Sequence, residues 1–148
     1  MKIEMPRLKN TEEGGDLLTA FERSEAENLI FRNQLISGEI LEDIEVKNCI
    51  FQSCRILGGR LSNFSVWDSS FRSCDFSNCV MEDAYFQRTE FLGCKLTGLR
   101  SISAVLKDVY LEDCSCKMWN LSNGTLKTVA FNRCDCTAAI FSLWERKD

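Results

Sequence analysis

The sequence predicts an all-β solenoid built from four-sided coils, and three observations carry that reading. The chain repeats every five residues, the apolar slots of each repeat lie two residues apart, and cysteines and phenylalanines recur every 20 residues. Written in fives from Thr19, the chain makes 26 pentads without an insertion or deletion. The third position is apolar or Cys in 24 of them, the exceptions being Ser101 and Arg146. All ten Phe and all nine Cys fall at the first or third position, where Glu39 and Arg146 are the only charged residues.

Each part of the repeat has a physical reading. Positions one and three are two apart, so on extended backbone both side chains point the same way, inward. Positions two and four then face water. The fifth position is Gly, Asn, Asp or Ser in 19 of 26 pentads, which is turn chemistry and bends the chain. A period of five suits neither the 3.6 of a helix nor the 2 of a long strand. It suits a short extended segment followed by a corner. Cys54, Cys74, Cys94, Cys114 and Cys134 recur at 20 residues, as do Phe31, Phe51, Phe71, Phe91 and Phe131 with Leu111 in the gap. Four pentads therefore make one coil, like residues stack on like, and neighbouring coils lie about 4.8 Å apart. About six coils follow.

Residues 1–18 precede the pattern and are read as an N-terminal extension or cap, with the β-helix over 19–148 as the one domain. Asp16–Leu29 supports two readings, a helix or the first coil. As a helix, Asp16 is its N-cap and Leu17, Leu18, Phe21 and Leu29 share roughly one face. The β-helix is secure from Phe31. Leu99 is large at a first position and Ser101 small at the following third, a swap that roughly conserves volume. Phe64 and Trp119 are oversized at first positions and are expected to swell or bulge the coil.

These residues carry a resemblance. The pattern is similar to the pentapeptide-repeat proteins, whose consensus is a small residue, Asp or Asn, Leu or Phe, then two variable residues. CDFSN and WNLSN match it well, and CIFQS, CKLTG and VYLED match its inward positions. The resemblance covers about 130 residues of the chain. It implies a right-handed quadrilateral β-helix. The departure is the second position, where Asp or Asn stands only at Asp75, Asn120 and Asp135. That position faces outward, so the surface is this chain's own. The seven residues after Phe141 are too few for the C-terminal dimerising helix that some members carry. The chain is thus expected to be a monomer or an end-to-end homodimer through its C-terminal coil, with Phe141 and Trp144 covering that end.

Several chemistries are excluded by composition. Histidine is absent, which removes Ser-His-Asp and Cys-His nucleophiles and His-ligated zinc. A filled solenoid presents flat walls and no cleft, so no enzyme activity and no catalytic residue is expected. Net charge is −4, the wrong sign for direct nucleic-acid binding. No apolar run reaches the roughly 18 residues of a membrane span. MKIEMPRLKN has no apolar signal core, so a cytoplasmic location is expected. Cys114, Cys116, Cys134 and Cys136 form two C-x-C pairs one coil apart, but a ladder does not make four thiolates converge on one ion. The nine cysteines are therefore read as free, buried thiols acting as small hydrophobes, with no metal and no cofactor.

Two outer-wall groups remain as candidate binding residues. Trp67, Tyr85 and Val105 face outward on one side in three successive coils, and surface aromatics raise the odds of a partner site; the alternative reading is that they pack under the N-terminal segment. Glu42, Asp43, Glu82 and Asp83 lie on one side at two-coil spacing. Several proteins of the family it resembles are like duplex DNA in size and charge, bind DNA gyrase and are associated with quinolone resistance. The resemblance therefore implies a second reading, a DNA-mimicking modulator of type II topoisomerase. Arg55, Arg60, Arg72, Lys95 and Arg100 interrupt that outer surface. The leading expectation is a non-enzymatic, bacterial scaffold that binds another protein through its walls.

Overall fold

The computed structural model describes residues 2–145; Arg146 lies outside them. Between Glu25 and Asn132 the strands pair in parallel, each residue beside the one 20 further on: Ile44 beside Phe64, Phe51 beside Phe71, Tyr85 beside Val105, Val109 beside Val129. The chain is therefore a parallel β-solenoid with four residues' worth of corners per coil. Wall I comprises the pentads starting at Ser24 and every 20 residues after it, wall II those from Leu29, wall III from Gln34 and wall IV from Glu39. Six coils run from Ser24 to Leu143, and the N-terminal cap brings the total to about seven turns.

The inward assignment holds without interruption over most of the chain. All 21 third-position residues from Phe21 to Leu121 are buried. Phe31, Phe51, Phe71 and Phe91 stack face to face, with successive ring centroids 5.4, 4.6 and 4.9 Å apart. The corners are equally regular. Every fifth residue from Asn28 to Ala138 is left-handed, with φ between +46° and +68°, and only four of these 23 are glycine. That conformation costs an L-residue roughly 1–2 kcal/mol. It persists because each corner N–H is aimed at a carbonyl of the next coil, as in Asn48 N–H to Trp67 O at 3.0 Å and Ser73 N–H to Leu92 O at 2.8 Å. Short polar side chains tolerate this region best, which is why Asn, Asp and Ser dominate it.

The cysteines do more than fill space. The Cys54, Cys74, Cys94, Cys114 and Cys134 thiols donate to the carbonyls of Phe31, Phe51, Phe71, Phe91 and Leu111 at 3.2–3.5 Å. Ser69 and Thr89 occupy the same position of wall II and donate to Trp67 O and Gln87 O at 2.9 and 3.1 Å. Where the first-position residue is small and carries a donor, that donor engages a carbonyl at the corner. All nine cysteines are free, but Cys134 is half-buried and Cys136 exposed, which corrects the expectation that every thiol is buried.

Phe64 does not bulge its coil, whereas a register irregularity lies just beyond Trp119. Ladder register is unbroken beside Phe64, and Trp119 sits with its Nε1 donating to Ser101 Oγ at 3.0 Å. The glycines at the neighbouring first positions are themselves closely packed: a Cβ on Gly124 would meet Leu121 Cδ2 at 2.0 Å, and one on Gly59 would meet Glu39 O at 2.3 Å. The single register shift lies at the last pairing, between Leu121 and Gly124.

At the N-terminus, α1 spans Leu17–Glu22. Asp16 caps it, accepting from Thr19 N–H at 2.9 Å and Thr19 Oγ1 at 2.6 Å. The helix stops at Glu22 and Leu29 is already in a strand, so the helical reading does not extend to residue 29. The boundary placed between 18 and 19 falls inside α1, and the first coil begins after it. Leu17 and Phe21 are buried, and Phe21 lies against Phe51 and Phe64 at 6.2 and 5.6 Å. The helix therefore closes the first coil. Glu12–Glu13 pairs with Leu29–Ile30 at an offset of 17, because α1 interrupts the pentads. At the other end Phe131 and Phe141 stack at 5.8 Å, while Ile140, Leu143 and Trp144 are exposed. Among the described residues, no helix is long and apolar enough to cross a membrane.

Candidate interaction walls

Because the coils are filled, nothing in the interior admits a substrate. The internal void is about 20 Å³, little more than one water, and Phe76, Leu99, Ser101 and Trp119 are among its lining. Any binding must therefore use the outside.

Wall I brings Trp67, Tyr85 and Val105 into one patch. Tyr85 lies between Ser65 and Val105 in the ladder, and the Trp67 and Tyr85 rings are 5.6 Å apart. All three are half-buried by their neighbours. Lys47, one coil earlier, places its Nζ 5.5 Å from the Trp67 ring centroid, in range of a cation–π contact. Tyr85 Oη donates to Gln87 Oε1 at 2.7 Å, which fixes the phenol on the wall.

Wall IV does not gather its carboxylates into a stripe. Ser62 stands between Glu42 and Glu82 in the ladder, so the acid pairs stay two coils, about 9.6 Å, apart. Asn63 bridges the gap by donating to Asp43 Oδ1 at 2.8 Å, and Arg60 pairs with Glu82. The seven candidate residues thus occupy two adjacent walls and do not converge.

Sequence reasoning admitted an N-terminal segment over this wall but missed its course and its contacts. Residues 4–12 run along the corner between walls I and II, parallel to the solenoid axis. Lys9 N–H donates to Asn48 Oδ1 at 2.8 Å, Arg7 N–H to Asp68 Oδ1 at 3.2 Å and Glu4 N–H to Asp108 Oδ1 at 3.2 Å. Glu12 N–H reaches Asn28 O at 2.9 Å. One strap thereby ties successive corners together. Between strap and wall lies a groove of about 450 Å³, bordered by Arg7, Lys9, Lys47, Trp67 and Arg88 and by the acids Glu27 and Asp68. Asp68 is committed: Arg88 Nε and Nη2 donate to it at 2.6 and 3.0 Å. Burial raises this carboxyl, but the Arg88 and Arg7 hydrogen bonds outweigh burial and hold it below the ordinary carboxylate range. A signal existed in the Asn, Asn, Asp and Asp of corners 28, 48, 68 and 108, but it reads equally as turn chemistry.

The thiols do not titrate alike: a hydrogen bond with Cys94 lowers Cys74 and Cys114, the latter to about 7. Burial pushes Cys49 and Cys79 up to about 11, and burial with neighbouring thiols raises Cys116. Among the described residues, no group of three or more Cys, Asp or Glu is placed to hold a metal ion.

A sequence profile described as pentapeptide repeat region matches residues 64–141. No curated protein matches the sequence. Among solved structures, similar chains include trypsin-treated QnrB1, described as a plasmid-mediated fluoroquinolone resistance protein, at 20% identity and a TM-score of 0.42 over 80% of this chain and 65% of that one. The match therefore spans about two-thirds of that QnrB1 chain. Rfr23 from the cyanobacterium Cyanothece 51142 matches at 12% identity and 0.32, over 85% of this chain and 97% of that one. HetL from the cyanobacterium Nostoc sp. strain PCC 7120, described as involved in heterocyst differentiation regulation, matches at 11% and 0.26, over 88% and 93%.

Proposed function

The chain belongs to the pentapeptide-repeat family, and from that membership we propose that it is a non-enzymatic scaffold that binds a partner protein through its outer walls. The observation that carries the reading is the division of labour within each pentad. Inward positions are spent on packing, which leaves the outward positions free to vary on a stiff frame. Wall I, with Trp67, Tyr85 and Val105, is the leading face, because clustered aromatics on a rigid surface are what hot spots are made of. A reducing compartment such as the bacterial cytoplasm suits a column of thiols that donate hydrogen bonds, which disulfide formation would remove. The exposed Ile140, Leu143 and Trp144 favour an end-to-end homodimer over a monomer, and sedimentation distinguishes the two.

The test is capture from extract by wild type, by the wall I variant Trp67→Ala/Tyr85→Ala, and by the wall IV variant Glu42→Lys/Glu82→Lys. A partner lost with one wall and retained with the other is expected. Equal capture by all three overturns the reading. The topoisomerase reading rests on Glu42, Asp43, Glu82 and Asp83 and is weakened by Arg60, which pairs with one of them. Inhibition or drug protection in a gyrase supercoiling assay, abolished by the wall IV variant, would put that reading first.

A further inference from the structure

We propose that wall I, together with the N-terminal strap, is a docking surface for an extended acidic segment of a partner protein. The proposal rests on the scaffold reading above and names the chemistry of its partner. The chain is net negative, at −4, and the first two coils of wall I carry Glu25, Glu27 and Glu45 on their outward positions, whereas the four coils after them, from Ser65 to Lys127, carry no carboxylate there. The corner acids there are already used: Asp68 by Arg88 and by the Arg7 N–H, Asp108 by the Glu4 N–H. Lys9, Lys47, Lys107 and Lys127, by contrast, make no ion pair among the described residues.

Their placement is informative. Lys107 and Lys127 are direct ladder neighbours, an arrangement that is unfavourable without an anion between them. Lys9 and Lys47 flank the groove at the other end, where Glu27 is the ladder neighbour of Lys47 and lessens its charge, and Trp67 and Tyr85 lie between the two pairs of lysines. Lys47 to Lys127 spans four coils, about 19 Å, or roughly six residues of extended chain. The strap demonstrates the geometry, since it is itself an extended segment lying along the axis at this corner. A partner segment beside it would place carboxylates on Lys107 and Lys127 at one end, carboxylates on Lys9 and Lys47 at the other, and an apolar side chain on the Trp67–Tyr85 rings. Single-stranded nucleic acid also offers anions and stacking planes, but Glu27 in the groove and Glu45 on the same wall oppose a continuous phosphate backbone.

The test measures fluorescence anisotropy of a labelled peptide with glutamates flanking a central Phe-Leu pair, titrated with the full chain. Lys107→Glu/Lys127→Glu is expected to raise Kd at least tenfold and Trp67→Ala severalfold. Arg100→Glu on wall IV should leave Kd unchanged, and added salt should weaken binding. Circular dichroism and thermal unfolding check that each variant is folded. The proposal is overturned by absence of peptide binding, by an unchanged Kd in the lysine double variant, or by tighter binding of oligo-dT lost in that same variant. If a partner captured from extract is lost with Trp67→Ala/Tyr85→Ala while the acidic peptide fails to bind, the scaffold reading stands and the assigned partner chemistry is wrong.

Discussion

At the scale of single residues, an oversized first position is accommodated by small neighbours in the core: Trp119 fits because Ser101 is small and accepts its indole N–H, and Gly124 leaves its space to Leu121. The expected distortion is absent at Phe64, where ladder register is unbroken, while just beyond Trp119 the last pairing shifts register. Because Leu121 takes that space, Gly124→Ala should destabilise the protein by about 1–3 kcal/mol, measured by denaturant unfolding. The thiols give a second residue-scale test. Native protein should show one rapidly reacting thiol, Cys136, with the buried ones slow, while unfolded protein shows all nine. Several fast thiols in the native state would contradict the hydrogen-bonded column.

At the scale of elements, what could be read from sequence depended on repetition. The extended segments and corners recur 26 times, so their register and inward face were legible down to the residue. The cap was ambiguous for a physical reason. Phe21 lies in phase with the third positions of the solenoid and is buried with them, yet Asp16 and Thr19 form a helix cap around it. Both readings use the same residues, and the capping hydrogen bonds decide. The course of the strap was invisible because the strap binds through its own backbone N–H groups, which carry no side-chain pattern. Its hold depends on the Asp68 carboxylate. A carboxyl held below its ordinary value contributes stability that is present above the unfolded-chain value near 4 and lost as pH falls through the folded value. Amide exchange at Arg7 should therefore accelerate below about pH 4. At neutral pH, Asp68→Ala should cost about 1–3 kcal/mol in thermal unfolding and speed tryptic cleavage after Arg7 and Lys9. Unchanged cleavage would show that the strap is held by other contacts.

At the scale of the whole molecule, stability is collective and function is local. One coil contacts only its neighbours, so the stack gains its stability from ladders and shared burial along the axis. The walls can then differ in chemistry without changing the fold: wall IV carries separated acids partly neutralised by Arg60, while wall I carries lysines around two aromatics. The outward candidates were legible as positions, since period and register place Trp67, Tyr85, Val105, Glu42 and Glu82. Their grouping was less so, because charge pairing by Arg60 and Lys47 depends on side-chain reach across coils. Every wall assignment depends on the inward-outward register, and thermal unfolding of Phe91→Lys beside Gln87→Lys tests it most directly. Burying an unpaired charge in the phenylalanine stack should abolish the cooperative transition, whereas Gln87→Lys on wall I should shift Tm by no more than about 2 °C. Equal effects at the two positions would contradict the register and every wall drawn from it.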